Sequence, residues 1–172
     1  MPARAVVSNS LLVFPVATTR TTSPTEAADR LRRGELVAFP TETVYGLGAD
    51  AFQPDAVRRI FEAKGRPADN PLIVHLRRRD QIGQVAACVP SVAQHLLGAF
   101  APGPLTLILP KHEDLPSVVT AGLETVGVRL PRPPLTQTLL QAFHTHRPAP
   151  AATRAGRPSP TSRAAEAHRP GG

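Results

Sequence analysis

The chain has 172 residues, 41% of them hydrophobic and 19% charged, which suits one domain with a hydrophobic core. Its net charge of +7 divides unevenly: residues 144–172 hold five Arg and one Glu, giving +4, which leaves +3 (7 − 4) for residues 1–143. One cysteine excludes an internal disulfide or a multi-cysteine zinc site, and one Tyr with no Trp argues against a platform stacking several bases.

No apolar run reaches the ~18 residues that a membrane span requires. The apolar segment 11–17 is short, contains Pro15 and lacks a convincing cleavage site, so no secretory signal is predicted. We therefore expect a cytoplasmic protein that does not interact with a membrane. Cys88 lies in an apolar stretch and is expected to be a buried core thiol.

Helices and strands are predicted to alternate between residues 23 and 143. Ser23, Pro24 and Glu26 form a helix-start pattern, and Gly34 is expected to end that helix. Further helices are predicted over 54–63, 79–87, 91–100 and 135–143, and strands over 36–39, 72–76, 104–110 and 126–130. This alternation favours an α/β or α+β domain built on a sheet.

The composition changes at residue 144. Residues 144–172 contain no Leu, Ile, Val, Met or aromatic side chain, so they cannot bury enough apolar area to offset their ordering entropy. The chain is therefore divided into a variable N-terminal segment (1–22), one domain (23–143) and a divergent tail that is predicted to be disordered (144–172).

The run Pro40-Thr-Glu-Thr-Val-Tyr-Gly-Leu-Gly48 follows a predicted strand. Its threonine hydroxyls lie at a strand end, and its glycines permit backbone conformations closed to other residues. Thr41 and Tyr45 are candidates to hold and cover a small amino acid. A simple glycine-containing turn explains the same residues, and without further information the two interpretations are about even.

A second run, Lys64-Gly-Arg-Pro-Ala-Asp-Asn-Pro-Leu-Ile-Val-His75, joins two cations, an amide and an imidazole. Lys64 and Arg66 suit a phosphate, and Asn70 before a proline fits a turn; the alternative is a solvated basic loop. A lone strand histidine such as His75 is more often structural than catalytic. No second ligand lies at metal-binding spacing, so no metal site is predicted.

Two later segments each carry one polar residue within a strand. Thr106 follows Pro102-Gly-Pro104, and its hydroxyl either caps the local backbone or faces a ligand. Arg129 lies between Val128 and Leu130, and strand alternation leaves open whether it points into the site or outward. Arg77-Arg-Arg79 is interpreted as a solvated run.

Taken in order, these blocks resemble the threonylcarbamoyl-AMP synthase (YrdC-type) family. The resemblance implies a single domain with a twisted mixed sheet, flanking helices and a concave basic site. It also implies a nucleotidyltransferase that condenses L-threonine, bicarbonate and ATP, with Mg²⁺ assisting, into threonylcarbamoyl-AMP for tRNA modification. By the same resemblance Lys64 and Arg66 are catalytic; L-threonine is bound by Thr41, Tyr45, His75 and Arg129; and ATP is bound by Lys64, Arg66, Asn70 and Thr106.

The tail departs from the family's Pro-Ser-x-Asn-x-Ser-Gly segment. Ala151 stands where the family has serine and Thr153 where it has asparagine, and neither replaces the lost hydrogen-bonding groups. Whether this chain is an active enzyme is therefore left open. Three alternatives are kept: a relative that forms a carbamoyl-adenylate, a module that binds double-stranded RNA, and an inactive truncated product. The partners implied are tRNA and a downstream threonylcarbamoyl-transferase complex.

Overall fold

The computed structural model describes residues 11–14, 19–42, 44–63, 70–143 and 151–154. In chain order the strands and helices are β1 (Leu11–Phe14), β2 (Thr19–Thr21), α1 (Pro24–Arg32), β3 (Leu36–Pro40), β4 (Tyr45–Gly48), α2 (Pro54–Ala63), β5 (Leu72–His75), a 3-10 helix (Arg79–Gln84), α3 (Ser91–Phe100), β6 (Thr106–Pro110), β7 (Thr125–Arg129), α4 (Pro134–Phe143) and β8 (Ala151–Arg154). The predicted α/β class is confirmed. No helix in these ranges is long and apolar enough to cross a bilayer.

The start of α1 follows the predicted capping pattern. The Ser23 hydroxyl accepts a hydrogen bond from the Glu26 amide at 3.3 Å, and the Thr21 hydroxyl donates to the Glu26 carboxylate at 2.7 Å. Gly34 follows the helix with φ +78°, a left-handed conformation that glycine adopts without steric cost. These contacts fix the direction in which the chain enters β3.

The described strands form two four-stranded sheets, where the sequence predicted one mixed sheet. The N-terminal sheet has the order β2-β1-β3-β4 and is antiparallel throughout. The mixed sheet has the order β6-β7-β5-β8, with β5 and β7 parallel and the other pairs antiparallel. The two sheets come into contact where β4 lies beside β8.

Strand β3 separates two hydrophobic clusters because alternate residues face opposite sides. Leu36 and Ala38 belong to the larger cluster, which the mixed sheet shares with α2 and α3. Val37 and Phe39 belong to the smaller one, which is filled by α1 and α4. The fully buried strand that the sequence predicted at 36–39 is thus explained by helices on one side and a second sheet on the other.

Four features differ from the sequence predictions. The helix predicted over 79–87 is a short 3-10 helix that ends at Gln84. The prediction that Cys88 is a buried core thiol is wrong, since its side chain is exposed. Strand β1, in the segment predicted to be variable, pairs with both β2 and β3, and β4 forms in a run where no strand was predicted. Alternation of apolar residues alone did not reveal strands as short as these.

The fourth difference concerns the tail. Disorder was expected throughout 144–172, yet residues 151–154 form β8, which pairs antiparallel with β5. Backbone pairing with β5 accounts for this strand, because ladder hydrogen bonds do not depend on apolar side chains. The expectation of disorder is therefore corrected for these four residues.

Candidate functional site

The two faces of the mixed sheet differ in what covers them. One face belongs to the larger hydrophobic cluster: Leu72, Val74, Leu107, Leu109, Val126 and Val128. The alternate residues of the same three strands form what we call the site face: Ile73, His75, Thr106, Ile108, Gly127 and Arg129. Ile108 on this face is 67% exposed, whereas its neighbour Leu109 on the other face is 3% exposed.

Three of the predicted site residues form a row at one end of the site face. His75 is the register partner of Arg129 across the parallel pair, and Thr106 is the partner of Arg129 across the antiparallel pair. On the other side of β5, the register partner of His75 is Ala151. Neighbouring strands lie about 5 Å apart, so the four positions form one continuous row. Segments far apart in sequence thus meet at one end of the sheet.

Arg129 points into the molecule, which settles the question that strand alternation left open. Its side chain is 11% exposed, and its Nη2 lies 3.2 Å from the Glu42 carboxylate, itself 13% exposed. Its Nε donates a hydrogen bond of 3.4 Å to the Gly103 carbonyl. The second Glu42 oxygen accepts from the Arg132 amide at 2.7 Å. The guanidinium is therefore held by a charged partner and by main chain.

The Pro-Gly-Pro segment before β6 supports this arrangement. The Gly103 amide donates to the Leu130 carbonyl at 2.8 Å, and the Arg132 Nε donates to the Pro102 carbonyl at 3.2 Å. A Cβ at Gly103 would lie 2.5 Å from the Phe100 carbonyl oxygen, closer than real Cβ atoms approach. Only glycine therefore fits here, and its carbonyl is placed where Arg129 reaches it.

The motif that begins at Pro40 forms a tight turn between β3 and β4. The Thr41 hydroxyl donates to the Val44 carbonyl at 2.6 Å, and the Val44 amide donates back to that hydroxyl at 3.3 Å. The hydroxyl of the buried Thr136 donates to the Pro40 carbonyl and so ties the end of β3 to α4. The Thr41 hydroxyl is thus used to build the turn, and Tyr45, half-buried at the start of β4, packs against the larger cluster.

His75 is 1% exposed, and its ring meets that of Phe39 edge-on, with centroids 5.6 Å apart. Burial, and secondarily the positive charge of Arg129, lowers the pKa of His75 from 6.5 to about 3. The imidazole is therefore neutral at neutral pH. This environment agrees with the structural interpretation of a strand histidine, while its threonine-binding role stays a prediction.

Asn70, Lys64 and Arg66 are the remaining predicted residues. Asn70 is exposed and precedes β5, at the opposite end of that strand from His75. Lys64 and Arg66 lie outside the described residues, so their ATP-binding and catalytic roles also stay predictions. Within the described part of the chain, no group of three or more His, Cys, Asp or Glu residues is placed to hold a metal ion.

The run 77–79 agrees with its interpretation as a surface segment. Arg78 and Arg79 are both exposed. Arg78 pairs with Asp80, and Arg79 donates to the Ala101 carbonyl at 3.3 Å. Both side chains therefore have partners within the protein.

Comparison with known proteins identifies the family. The family model for Sua5, YciO and YrdC, described as telomere recombination, matches residues 29–170. The chain belongs to this family. The resemblance noted from the sequence motifs is thereby confirmed.

Among the relatives, threonylcarbamoyl-AMP synthase of Pyrococcus abyssi is 54% identical over 79% of this chain and 40% of its own length. The enzyme of the same name from Bacillus subtilis is 51% identical over 83% of this chain and 42% of its own. The crystal structure of P. abyssi Sua5 complexed with L-threonine superposes with a TM-score of 0.78 at 49% identity, covering 84% of this chain and 42% of that one. The chain thus spans about two fifths of the length of these family members.

One site residue escaped the sequence analysis although it lies inside a quoted motif. Glu42 was not assigned a role, yet it is the residue that pairs with Arg129 and with the Arg132 amide. These partners are separated from Glu42 by about 90 positions. The only available signal was a glutamate beside a strand end, which by itself is common on protein surfaces.

Proposed function

We propose that this chain carries the threonylcarbamoyl-AMP synthase activity after which its relatives are named. The observation that supports the proposal is the row formed by His75, Arg129 and Thr106 on the site face. An inward arginine beside a strand-end turn suits the carboxylate of an amino acid. A family member of the same fold has been solved with L-threonine bound, which makes that amino acid the favoured ligand.

The proposed reaction has two steps. The amine of L-threonine first adds to the carbon of bicarbonate with loss of water, which gives a carbamate. A carbamate oxygen then bonds to the α-phosphorus of ATP while the bond from that phosphorus to the β-phosphate bridging oxygen breaks, releasing pyrophosphate. Such a reaction needs positioning and charge stabilisation rather than a side-chain nucleophile.

The proposal divides the work among the candidate residues. Arg129 binds the threonine carboxylate, with Thr41 and Tyr45 from the turn and the neutral His75 shaping the same pocket. Lys64, Arg66, Asn70 and Thr106 are proposed to bind ATP, and the two cations to stabilise charge at the α-phosphate. ATP is proposed to bring Mg²⁺ with its phosphates, so no step is assigned to an ion held by the protein.

The proposed partners and cellular location follow from the chemistry of the product. Threonylcarbamoyl-AMP is a reactive mixed anhydride, so the proposal includes a transferase complex that consumes it on tRNA and a location in the cytoplasm where ATP and tRNA are available. Direct binding of tRNA or other double-stranded RNA is a separate activity, for which a basic chain with net charge +7 is suitable.

Pyrophosphate release from ATP tests the proposal directly. The chain is incubated with ATP, Mg²⁺ and bicarbonate, and release is measured with and without L-threonine. We expect release that depends on both threonine and bicarbonate. Release with carbamoyl phosphate instead would favour a carbamoyl-adenylate-forming relative, and salt-dependent RNA binding without any release would favour an RNA-binding module. Binding of ATP and threonine without release of pyrophosphate would mean that the chain is a substrate-binding domain. That result would overturn the proposal of synthase activity.

A further inference from the structure

We propose that Glu42 is a positioning residue, which fixes the Arg129 guanidinium so that its remaining edge receives the carboxylate of the substrate. The inference rests on the proposed function and assigns a role to a residue that the motif contains but that the reaction scheme above does not use. It starts from the contacts that Glu42 makes at each of its two oxygens.

The two oxygens of Glu42 have different partners. Oε2 lies 3.2 Å from Arg129 Nη2, and Oε1 accepts a hydrogen bond from the Arg132 amide at 2.7 Å. The amide is part of the main chain immediately after β7, the strand that carries Arg129. Glu42 is therefore anchored to the same segment as the arginine it holds, and its carboxylate cannot swing away without losing a main-chain hydrogen bond.

The guanidinium is restrained on a second side by Gly103. Its Nε donates to the Gly103 carbonyl at 3.4 Å, and that carbonyl is itself fixed because Gly103 donates to Leu130. The hydrogen bond at Nε and the ion pair at Nη2, which is not itself a hydrogen bond, together restrain the guanidinium on two sides. In the described part of the chain, Nη1 makes neither a hydrogen bond nor an ion pair. A planar fork held at two of its nitrogens leaves the third to recognise a ligand.

The ion pair between Glu42 and Arg129 is largely buried, which makes its restraint of the guanidinium effective. With 11% and 13% of the two side chains exposed, water competes weakly for the contact. An arginine can serve two carboxylates in different directions, so Glu42 and a substrate carboxylate can share Arg129. The substrate is then selected because its carboxylate fits the fixed plane of the Arg129 guanidinium. The positive charge of Arg129 alone does not select it, because Glu42 balances that charge.

Glu42→Gln is the variant that tests this role. Glutamine keeps the shape and the acceptor for the Arg132 amide but removes the charge that holds Arg129. Glu124→Gln is the matched control, since Glu124 is exposed and immediately precedes β7. Titration calorimetry is carried out with L-threonine and with L-threoninol, which has a hydroxymethyl group in place of the carboxylate.

We expect Glu42→Gln to weaken L-threonine binding by about tenfold, with L-threoninol binding and the control unchanged. Equal losses for both ligands would mean that Glu42 only maintains the fold. Tighter threonine binding would mean that Glu42 competes with the substrate for Arg129. Either result overturns the proposal.

A second readout is independent of the substrate. In a ¹⁵N-labelled sample, the Arg129 guanidinium is expected to rotate slowly and give resolved Nη signals in the native protein, and to rotate freely in Glu42→Gln. If the native protein bound neither L-threonine nor L-threoninol, the proposed function would fail. The Arg129 guanidinium signals would still test whether Glu42 positions Arg129. Unchanged Arg129 signals in Glu42→Gln would overturn the positioning role.

Discussion

The two faces of the mixed sheet are made by the same strands and yet do different work. On β6, Leu107 and Leu109 enter the core, while Thr106 and Ile108 lie on the site face. The backbone hydrogen bonds are common to both faces, so only the direction of the side chain separates them. A substitution one residue along a strand should therefore change from an effect on stability to an effect on binding.

The largest expected effect is on stability and compares two neighbours on β6. Leu109→Ala removes a side chain that is 3% exposed and leaves a cavity, so it should lower the free energy of unfolding by about 2–5 kcal/mol. Ile108→Ala, at a residue 67% exposed, should change it by less than about 0.5 kcal/mol. The free energy of unfolding of both variants is measured by urea denaturation. Similar losses in the two variants would contradict the difference between the faces.

Arg129→Met should come next, because it affects both stability and binding. It leaves the carboxylate of Glu42, 13% exposed, without its cation, and should cost about 2–3 kcal/mol in unfolding free energy while abolishing threonine binding. The double variant Arg129→Met with Glu42→Gln should recover part of the stability but none of the binding. Additive losses in a double-mutant cycle would mean that the ion pair contributes nothing.

Lys64→Ala and Arg66→Ala test the part of the site that is predicted from the sequence alone. Each should weaken ATP binding by roughly 1.5–3 kcal/mol, the range for hydrogen bonds to charged groups. Arg58→Ala is the control, since Arg58 is exposed on α2 and pairs with Asp55. Isothermal titration that shows unchanged ATP affinity in both the Lys64 and the Arg66 variant would refute the assignment of these residues to the nucleotide.

The smallest expected effect, counted per pH unit, is a pH dependence caused by His75. Its pKa is about 3 in the folded protein and 6.5 when unperturbed, so between these values the unfolded chain binds a proton that the folded one does not. Stability should therefore fall as the pH drops from 6.5 towards 3, by up to about 1.4 kcal/mol per pH unit. His75→Gln removes the pH dependence that is due to this imidazole, while the pH dependence due to the carboxylates remains. Equal slopes for the two proteins in urea unfolding between pH 7 and pH 5 would contradict the assignment.

Much of the fold could be predicted because its signals are local. The Ser23 cap and the apolar spacing of Val57, Ile60 and Phe61 specify helices within a few residues, and the run between Pro104 and Pro110 specifies β6. Strands β1, β2, β4 and β8 were not predicted, because each is short and is stabilised by backbone pairing with another strand, which local sequence does not reveal. The burial of Cys88 was misjudged because its neighbours Val85 and Ala86 are buried while Cys88 itself is not.

The site was predictable to the extent that its residues lie in recognisable motifs. His75, Thr106 and Arg129 were named from the sequence, and the structure brings them into one row. Alternation places Arg129 on the face opposite Val128 and Leu130, but the sequence could not show that its side chain is sheltered there, since Glu42 and Gly103 come from other segments of the chain. The strand predicted over 72–76 also implies the observed placement of Asn70 and His75 at opposite ends of β5.

The pairing of β8 with β5 has a consequence for the chain as it is made. Leu72 pairs with Arg154, so β5 is translated long before the strand that covers its outer edge leaves the ribosome. Until then, a nascent chain presents the backbone of β5 as an open template on which another chain can add a strand. Translation that stalls before residue 151 is thus expected to yield an aggregation-prone product, which gives quality control of the nascent chain a particular importance for this fold.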